Sequence, residues 1–265
     1  MSLWVQDFEN KTVIVTGATG HLGIAMANAF AELGATLVLV DLHEEKLNEL
    51  AASLERSYQT KSFTYYCDFS DTESRRDQIR NIARDVDVVD VLVNNAAFVG
   101  TSQLSNWSVP FEQQSSSIWP DVFEVNLTSV FDFSQGLQAN LLRSMQPSIV
   151  NIASLHAHVG PDWDLYSGTN MSSPAAYATS KSALVNLTKW LAVTTSPQLR
   201  VNSVSPGGIF RNQPDTFVAK YIAKTPMKRM AKEEDIVGAV LFLASPLSGY
   251  ITGQDLRVDG GYGSK

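Results

Sequence analysis

Short apolar runs rich in β-branched residues alternate along this chain with longer segments whose apolar residues recur at helical spacing. The first run, Thr12 to Thr16, stops at Gly17, as a buried strand does when a turn follows. A helix is predicted from Leu22 to Leu33, ended by Gly34, and Ala35 to Val40 reads as a second buried strand. The polar segment from Glu44 to Arg56 sets Leu47, Leu50 and Leu54 on one face, which completes a βαβ unit. The same alternation predicts a strand from Phe63 to Cys67, a helix from Thr72 to Arg84, a strand from Val88 to Val93 and a long helix from Pro120 to Met145. Further strands are expected at Ser148 to Ala153, Arg200 to Val204 and Asp255 to Val258, with helices at Pro174 to Thr194 and Lys232 to Leu243 between them. Strands alternating with helices imply an α/β, doubly wound fold. Its seven-stranded parallel sheet would be covered on both faces and would bind ligands at the carboxyl ends of the strands. No repeat and no Pro-rich or charged linker divides residues 1–265, so a single domain is expected.

Composition narrows the class. Hydrophobic residues at 44% and charged residues at 18% leave enough apolar surface for an ordinary packed core. The formal charge of -7, with basic residues scattered, argues against nucleic acid or an anionic membrane as partner. A lone cysteine, Cys67, cannot form an intrachain disulfide, so nothing points to an oxidising compartment. No apolar run reaches about 18 residues, and the start MSLWVQDFENK lacks the layout of a secretion signal; a cytoplasmic location is expected.

Chemistry begins at the first turn. Thr16-Gly17-Ala18-Thr19-Gly20-His21-Leu22-Gly23 follows a strand and opens a helix. Glycines there permit a tight turn and close approach of a pyrophosphate, which the helix N-terminus favours through free amides and its dipole. Asp41 closes the second strand, 18 residues beyond Gly23, where a carboxylate can accept from an adenosine ribose. A plain turn with a helix-capping Asp is the blander alternative. An acid at Asp41 would repel a ribose phosphate and Leu42 brings no compensating charge, so NAD is favoured over NADP as cofactor of a Rossmann fold.

Taken with these features, Asp68 after the third strand, Asn94-Asn95-Ala96-Ala97 after the fourth, Asn126, Ser154, Tyr177 with Lys181, and Pro206-Gly207 after the sixth carry a resemblance. The chain resembles the classical short-chain dehydrogenases and reductases over nearly its whole length. One departure stands out: His21 occupies the place of the middle glycine and Gly20 comes one position early, a spacing closer to the extended branch with its sugar-nucleotide epimerases. The short C-terminal part argues against that branch. The resemblance implies that Asp68, with Phe69 beside it, holds the adenine. It implies that Asn95, Ala96 and Ala97 line the adenine pocket, and that Pro206, Gly207 and Ile209 face the nicotinamide.

A free tyrosine hydroxyl titrates near pH 10, so it needs a neighbouring cation to serve as a base at neutral pH. Tyr177 and Lys181 lie one helical turn apart on one face, so the ammonium can stabilise a tyrosinate while also reaching the nicotinamide ribose. Ser154 resembles the family's serine, which holds the substrate oxygen, and Asn126 its asparagine, which helps place the lysine. Each residue alone has an ordinary structural explanation: a surface pair, a turn cap, a backbone bond. Their joint occurrence at successive strand ends favours the site. Tyr166 is the competing tyrosine, but Asn170 stands where a lysine would be needed.

The substrate side is less defined. The segment from His156 to Ala176 is longer than the resemblance implies and is expected to cover the pocket together with residues 208–230. His156, Trp163 and Tyr166 could combine stacking with hydrogen bonds to a polar, hydroxylated small molecule, and Arg211 or Arg229 could meet a phosphate or else form surface ion pairs. His156 and His158 ahead of Asp162 and Asp164 have metal-like spacing, but a hydride mechanism needs no metal and none is expected. Gly160-Pro161-Asp162, the Tyr166 to Met171 stretch and Pro206 to Pro214 resemble a subgroup of flagellin-modification and surface-polysaccharide oxidoreductases, which implies a sugar or activated sugar as substrate. Alternatives are a small ketone or polyol reductase, a ketoacyl reductase, and a redox-silent sensor or scaffold that binds the dinucleotide. The resemblance also implies a homotetramer or homodimer built through the helices at Pro120 to Met145 and Pro174 to Thr194.

Overall fold

A computed structural model describes residues 8–99, 102 and 104–264. Seven strands form one sheet in the order β3-β2-β1-β4-β5-β6-β7. They are β1 (Thr12–Thr16), β2 (Thr36–Asp41), β3 (Ser62–Tyr66), β4 (Val91–Asn94), β5 (Ser148–Ile152), β6 (Arg200–Pro206) and β7 (Asp255–Val258). Every neighbouring pair is parallel. All carboxyl ends therefore emerge on one edge, and the order reverses between β1 and β4, which opens a crevice there.

Alternation along each strand feeds two cores. Val13 and Val15 face the layer of α1 (His21–Glu32), α2 (Glu44–Tyr58) and α10 (Glu233–Ala244), whereas Ile14 faces the layer of α3 (Thr72–Asp85), α5 (Ser129–Gly136) and α8 (Ala175–Thr195). Burial on both faces accounts for the unbroken apolar runs of these strands.

The predicted helix from Pro120 to Met145 is in fact several pieces. It consists of α4 (Trp119–Phe123), a π-helical turn over Glu124–Thr128, α5, and the short α6 (Gln138–Leu141). At Leu137 the backbone leaves helical geometry, with φ -99° and ψ 4°. Beyond it Asn140 turns its side-chain amide onto the carbonyls of Ala83 and Val86, and the helical path stops well before the exposed Met145. Strand β4 begins three residues later than its apolar run, because the Asp90 carboxylate takes the Thr12 amide that a strand neighbour would otherwise bind. Two helices stand where none was predicted: α7 (Trp163–Tyr166), too short to show a period, and α9 (Asp215–Lys224). Among the described residues no helix is long and apolar enough to cross a membrane.

Candidate active site

The glycine turn is shaped by contacts that exclude a side chain. Gly17 sits at φ +62°, and a Cβ there would stand 2.8 Å from Ala96 Cα; at Gly23 a Cβ would lie 2.1 Å from the Gly17 carbonyl oxygen. Gly20, by contrast, has ordinary extended geometry and no side chain caps α1, so the first amides of the helix, starting at the exposed His21, remain open donors. Leu22 is buried beneath them. Asp41 is buried at the crevice: its Oδ2 accepts from the Thr19 amide at 2.9 Å and its Oδ1 from the His43 amide at 3.2 Å. The His43 ring lies 3.1 Å from the same Oδ1, while Leu42 is exposed. An uncapped helix start, a turn with no room for side chains and a carboxylate at the end of β2 fit a dinucleotide with its pyrophosphate on α1 and its ribose on Asp41.

The other strand ends brace this turn. Asn95 donates its side-chain amide to the carbonyls of Thr16 and Gly17, both at 3.0 Å, and the Asn95 and Ala96 amides both donate to Thr16 Oγ1. Ala97 continues the same partly buried stretch. Asn94 links β4 to β5 through Asn151, which in turn donates to Thr188 on α8. Asp68 folds onto its own loop, accepting from the Ser70 amide and hydroxyl. Phe69 turns its side chain inward. Its ring packs in the core 5.5 Å from Phe133, and its carbonyl accepts from Arg75, whose buried guanidinium also pairs with Glu124 and Asp132. After β6, the Gly207 amide donates to Val258 O and the Gly208 amide to the Tyr221 hydroxyl, while Ile209 bridges to Ala231.

Ser154, Tyr177 and Lys181 come together at the carboxyl ends of β5 and β6. Ser154, two residues beyond β5, is extended and caps the following turn by accepting from the His156 amide at 3.2 Å. Its side chain neighbours that of Tyr177 and lowers the tyrosine's pKa. Lys181 is only 3% exposed, with its ammonium nitrogen 6.0 Å from the centre of the Tyr177 ring and donating to Ile152 O at 2.7 Å. Burial alone brings Lys181 down to about 7. Burial also pushes Tyr177 up, with the Ser154 side chain opposing it. The tyrosine is thereby held as a proton donor, and its anion would require the lysine's charge beneath it.

Asn126 sits in the π-helical turn, fully buried. Its Oδ1 accepts from the Phe98 amide at 2.7 Å, and its Nδ2 donates to Phe98 O and to Ser180 Oγ. Ser180 in turn donates to Tyr177 O. Asn126 thus ties the extension of β4 to the helix that carries Tyr177 and Lys181. Such widened turns are frequent at functional sites.

Residues without a forecast role complete the frame. Trp107 is buried beside Ala176 and Tyr177, its indole donating to Val99 O. Gln114 accepts from the Ala175 amide and so caps α8. Neither lies in a periodic segment, so no sequence signal marked them. On the outer side, an aromatic series runs Trp163, Tyr166, Phe217, Tyr221, Tyr262, with successive centroids 4.8 to 6.0 Å apart. Lys220 and Lys224 pair with Asp162 and Asp164, fastening α7 to α9. The four metal-like residues diverge accordingly, since His158 bonds Asp255 at 2.8 Å. Arg211 pairs with Glu233 and Arg229 with Asp235.

Comparison with known proteins agrees with this arrangement. Residues 17–263 match the family model described as enoyl-(acyl carrier protein) reductase. The chain is 30% identical to the 3-oxoacyl-(acyl-carrier-protein) reductase of Thermotoga maritima, covering 96% of this chain and 98% of that protein. It is 29% identical to post-translational flagellin modification protein A of Campylobacter coli, covering 96% and 99%. A structure from Beutenbergia cavernae, assigned as an NAD(P)-dependent gluconate 5-dehydrogenase and holding NADP at low occupancy, superposes with a TM-score of 0.85 at 30% identity over 98% of this chain and 99% of that one.

Proposed function

The chain belongs to the short-chain dehydrogenases and reductases, and from that premise we propose that it interconverts a hydroxyl and a carbonyl on a polar small molecule with a nicotinamide dinucleotide as partner. The observation that carries this reading is the Ser154 to Tyr177 hydroxyl pair above a buried Lys181, next to a glycine turn open to pyrophosphate. When bound, the nicotinamide supplies or accepts the hydride. In reduction, Tyr177 gives its proton to the carbonyl oxygen as charge develops there, while Ser154 holds that oxygen. The tyrosinate left behind is offset by the Lys181 ammonium. Oxidation runs the same transfers backwards. Asn126 keeps α8 and the β4 extension in register while this happens.

Asp41 favours NAD over NADP, because the 2′-phosphate would face a carboxylate already fixed by Thr19 and His43, with no cation at Leu42. The Beutenbergia structure, assigned as a gluconate 5-dehydrogenase, supports a sugar or activated sugar as substrate, and the segments 156–176 and 208–230, joined through α7 and α9, supply its walls. The Thermotoga relative makes a ketoacyl thioester the second reading; the acidic chain with scattered basic residues offers little for docking an acidic carrier. Exposed Trp190 and Val193 on α8 suit a homo-oligomeric contact.

The test is paired. NAD(H) and NADP(H) are titrated first, and turnover of a sugar, polyol and ketone panel is then followed by nicotinamide absorbance for the wild type and Tyr177→Phe. Tighter NAD(H) binding, with turnover reduced at least about a thousandfold in the variant, is expected. Unchanged turnover in Tyr177→Phe removes the mechanism. Tight dinucleotide binding without turnover of any substrate favours a redox-silent binding protein.

A further inference from the structure

Among the described residues, two buried side-chain polar atoms lack a hydrogen-bond partner, Ser62 Oγ at the start of β3 and His156 Nδ1. The second is at the heart of the site. His156 stands two residues beyond Ser154, its own amide donating to the Ser154 hydroxyl, and its ring meets Tyr177 edge-on at 6.1 Å and 73°.

The orphaned atom decides the tautomer. A sealed N–H with no acceptor is costlier than a sealed lone pair with no donor. The proton is therefore assigned to Nε2, the other nitrogen of a ring that packs edge-on against Tyr177. Burial lowers the His156 pKa, which keeps the ring neutral. The result is an uncharged donor next to the pair of hydroxyls that take the reacting oxygen.

We propose that His156 is a substrate-orienting residue whose Nε2–H donates to an oxygen on the carbon adjacent to the one oxidised or reduced, so that the enzyme selects vicinal diols and α-hydroxy ketones. This rests on the oxidoreductase reading above and narrows its substrate class. Ser154 and Tyr177 fix one oxygen, and a donor two residues further along the same turn meets the next substituent. A neutral imidazole suits a hydroxyl there. A site so built discriminates against a substrate lacking that oxygen, because its donor is then left unpaired.

The experiment compares kcat/KM for ketones that differ only in the adjacent hydroxyl: hydroxyacetone against acetone, and a ketose against its deoxy analogue. Wild type, His156→Phe and His156→Gln are measured. His156→Phe keeps the ring packing and should lower kcat/KM about tenfold more for the hydroxylated member of each pair. His156→Gln places an amide nitrogen near the Nε2 position and should recover most of that selectivity. Equal losses for both members, or no change of preference, overturn the proposal while leaving the oxidoreductase reading intact. Reduction of no ketone by the wild type overturns that reading and this one with it. Ring nitrogen NMR on the unsubstituted protein is independent of variant folding: a neutral ring with the proton on Nε2 is expected, and a proton on Nδ1 or an imidazolium at neutral pH overturns the assignment.

Discussion

Replacing Lys181 with methionine should yield a protein that is more stable near neutral pH and inactive. In the unfolded chain the lysine has its ordinary value of 10.5, whereas burial in the fold brings it to about 7. Burying the ammonium therefore costs about 4 to 5 kcal/mol when the group is protonated in both states. Against this stands the bond from Nζ to Ile152 O at 2.7 Å, whose loss orphans a buried carbonyl and costs about 2 kcal/mol. Methionine fills nearly the same volume. The balance at about pH 7 is a gain of about 2 kcal/mol, or roughly 4 °C in Tm for a chain of 265 residues. The pH dependence is the sharper test. Because the folded value is depressed, the unfolded chain binds more protons between about pH 7 and 10.5, and wild-type stability rises with pH across that window. The variant's lead should then shrink and reverse near about pH 9, where the diminishing ammonium penalty equals the lost bond. Urea unfolding without dinucleotide, at one protein concentration and at about pH 6, 8 and 10, measures this. A variant less stable at every pH, or one whose lead widens as pH rises, refutes the reasoning.

The glycine turn offers a contrast between neighbours. Gly23→Ala would drive a Cβ to 2.1 Å from the Gly17 carbonyl oxygen and should cost about 3 kcal/mol, with dinucleotide affinity falling tenfold or more. Gly20→Ala meets nothing nearer than 3.4 Å and should stay within about 1 kcal/mol; thermal melts and NADH fluorescence titration separate the two, and equal melting of both variants contradicts the packing reading. Asp41→Ala removes the carboxylate that would face a 2′-phosphate and should raise NADP(H) affinity relative to NAD(H) by about tenfold. Paired titrations check this, and an unchanged ratio assigns cofactor choice to other residues.

Strand ends were the most legible part of this chain, since β-branched runs stopping at Gly17, Asp41 and Asn94 are buried on both faces of a parallel sheet and carry no competing period. Helical spacing put Tyr177 and Lys181 on one face, and the family resemblance, with Ser154 and Asn126, gave the pair its role. The Pro120 to Met145 segment misled because Val122, Val125, Val130 and Phe133 keep an apolar face across a π-helical turn, and periodicity does not register one extra residue. Asn126 was therefore reachable through family resemblance and not through pattern. For Arg211 the sequence left a substrate phosphate and a surface ion pair open, because its partner Glu233 lies on another element and only the fold brings them together. Helix α9 left a faint mark, Phe217 and Tyr221 one turn apart after Pro214, inside a stretch read as pocket loop. Its role depends on the Tyr221 hydroxyl reaching the Gly208 amide, a tertiary contact no local pattern encodes.

The widened turn at Glu124–Thr128 bears on how this protein can change. A single-residue deletion there would restore ordinary helical pairing and join α4 to α5, a repair that favours the helix itself. The same deletion would swing the side chains on one side of it by about 100° relative to the other, carrying Asn126 away from Phe98 and Ser180. The most accessible route to a more regular helix thus runs through loss of the clasp between β4 and α8. Length within these five residues is under tighter constraint than the identity of most of them. A lineage released from catalysis would be expected to show the shortened form first.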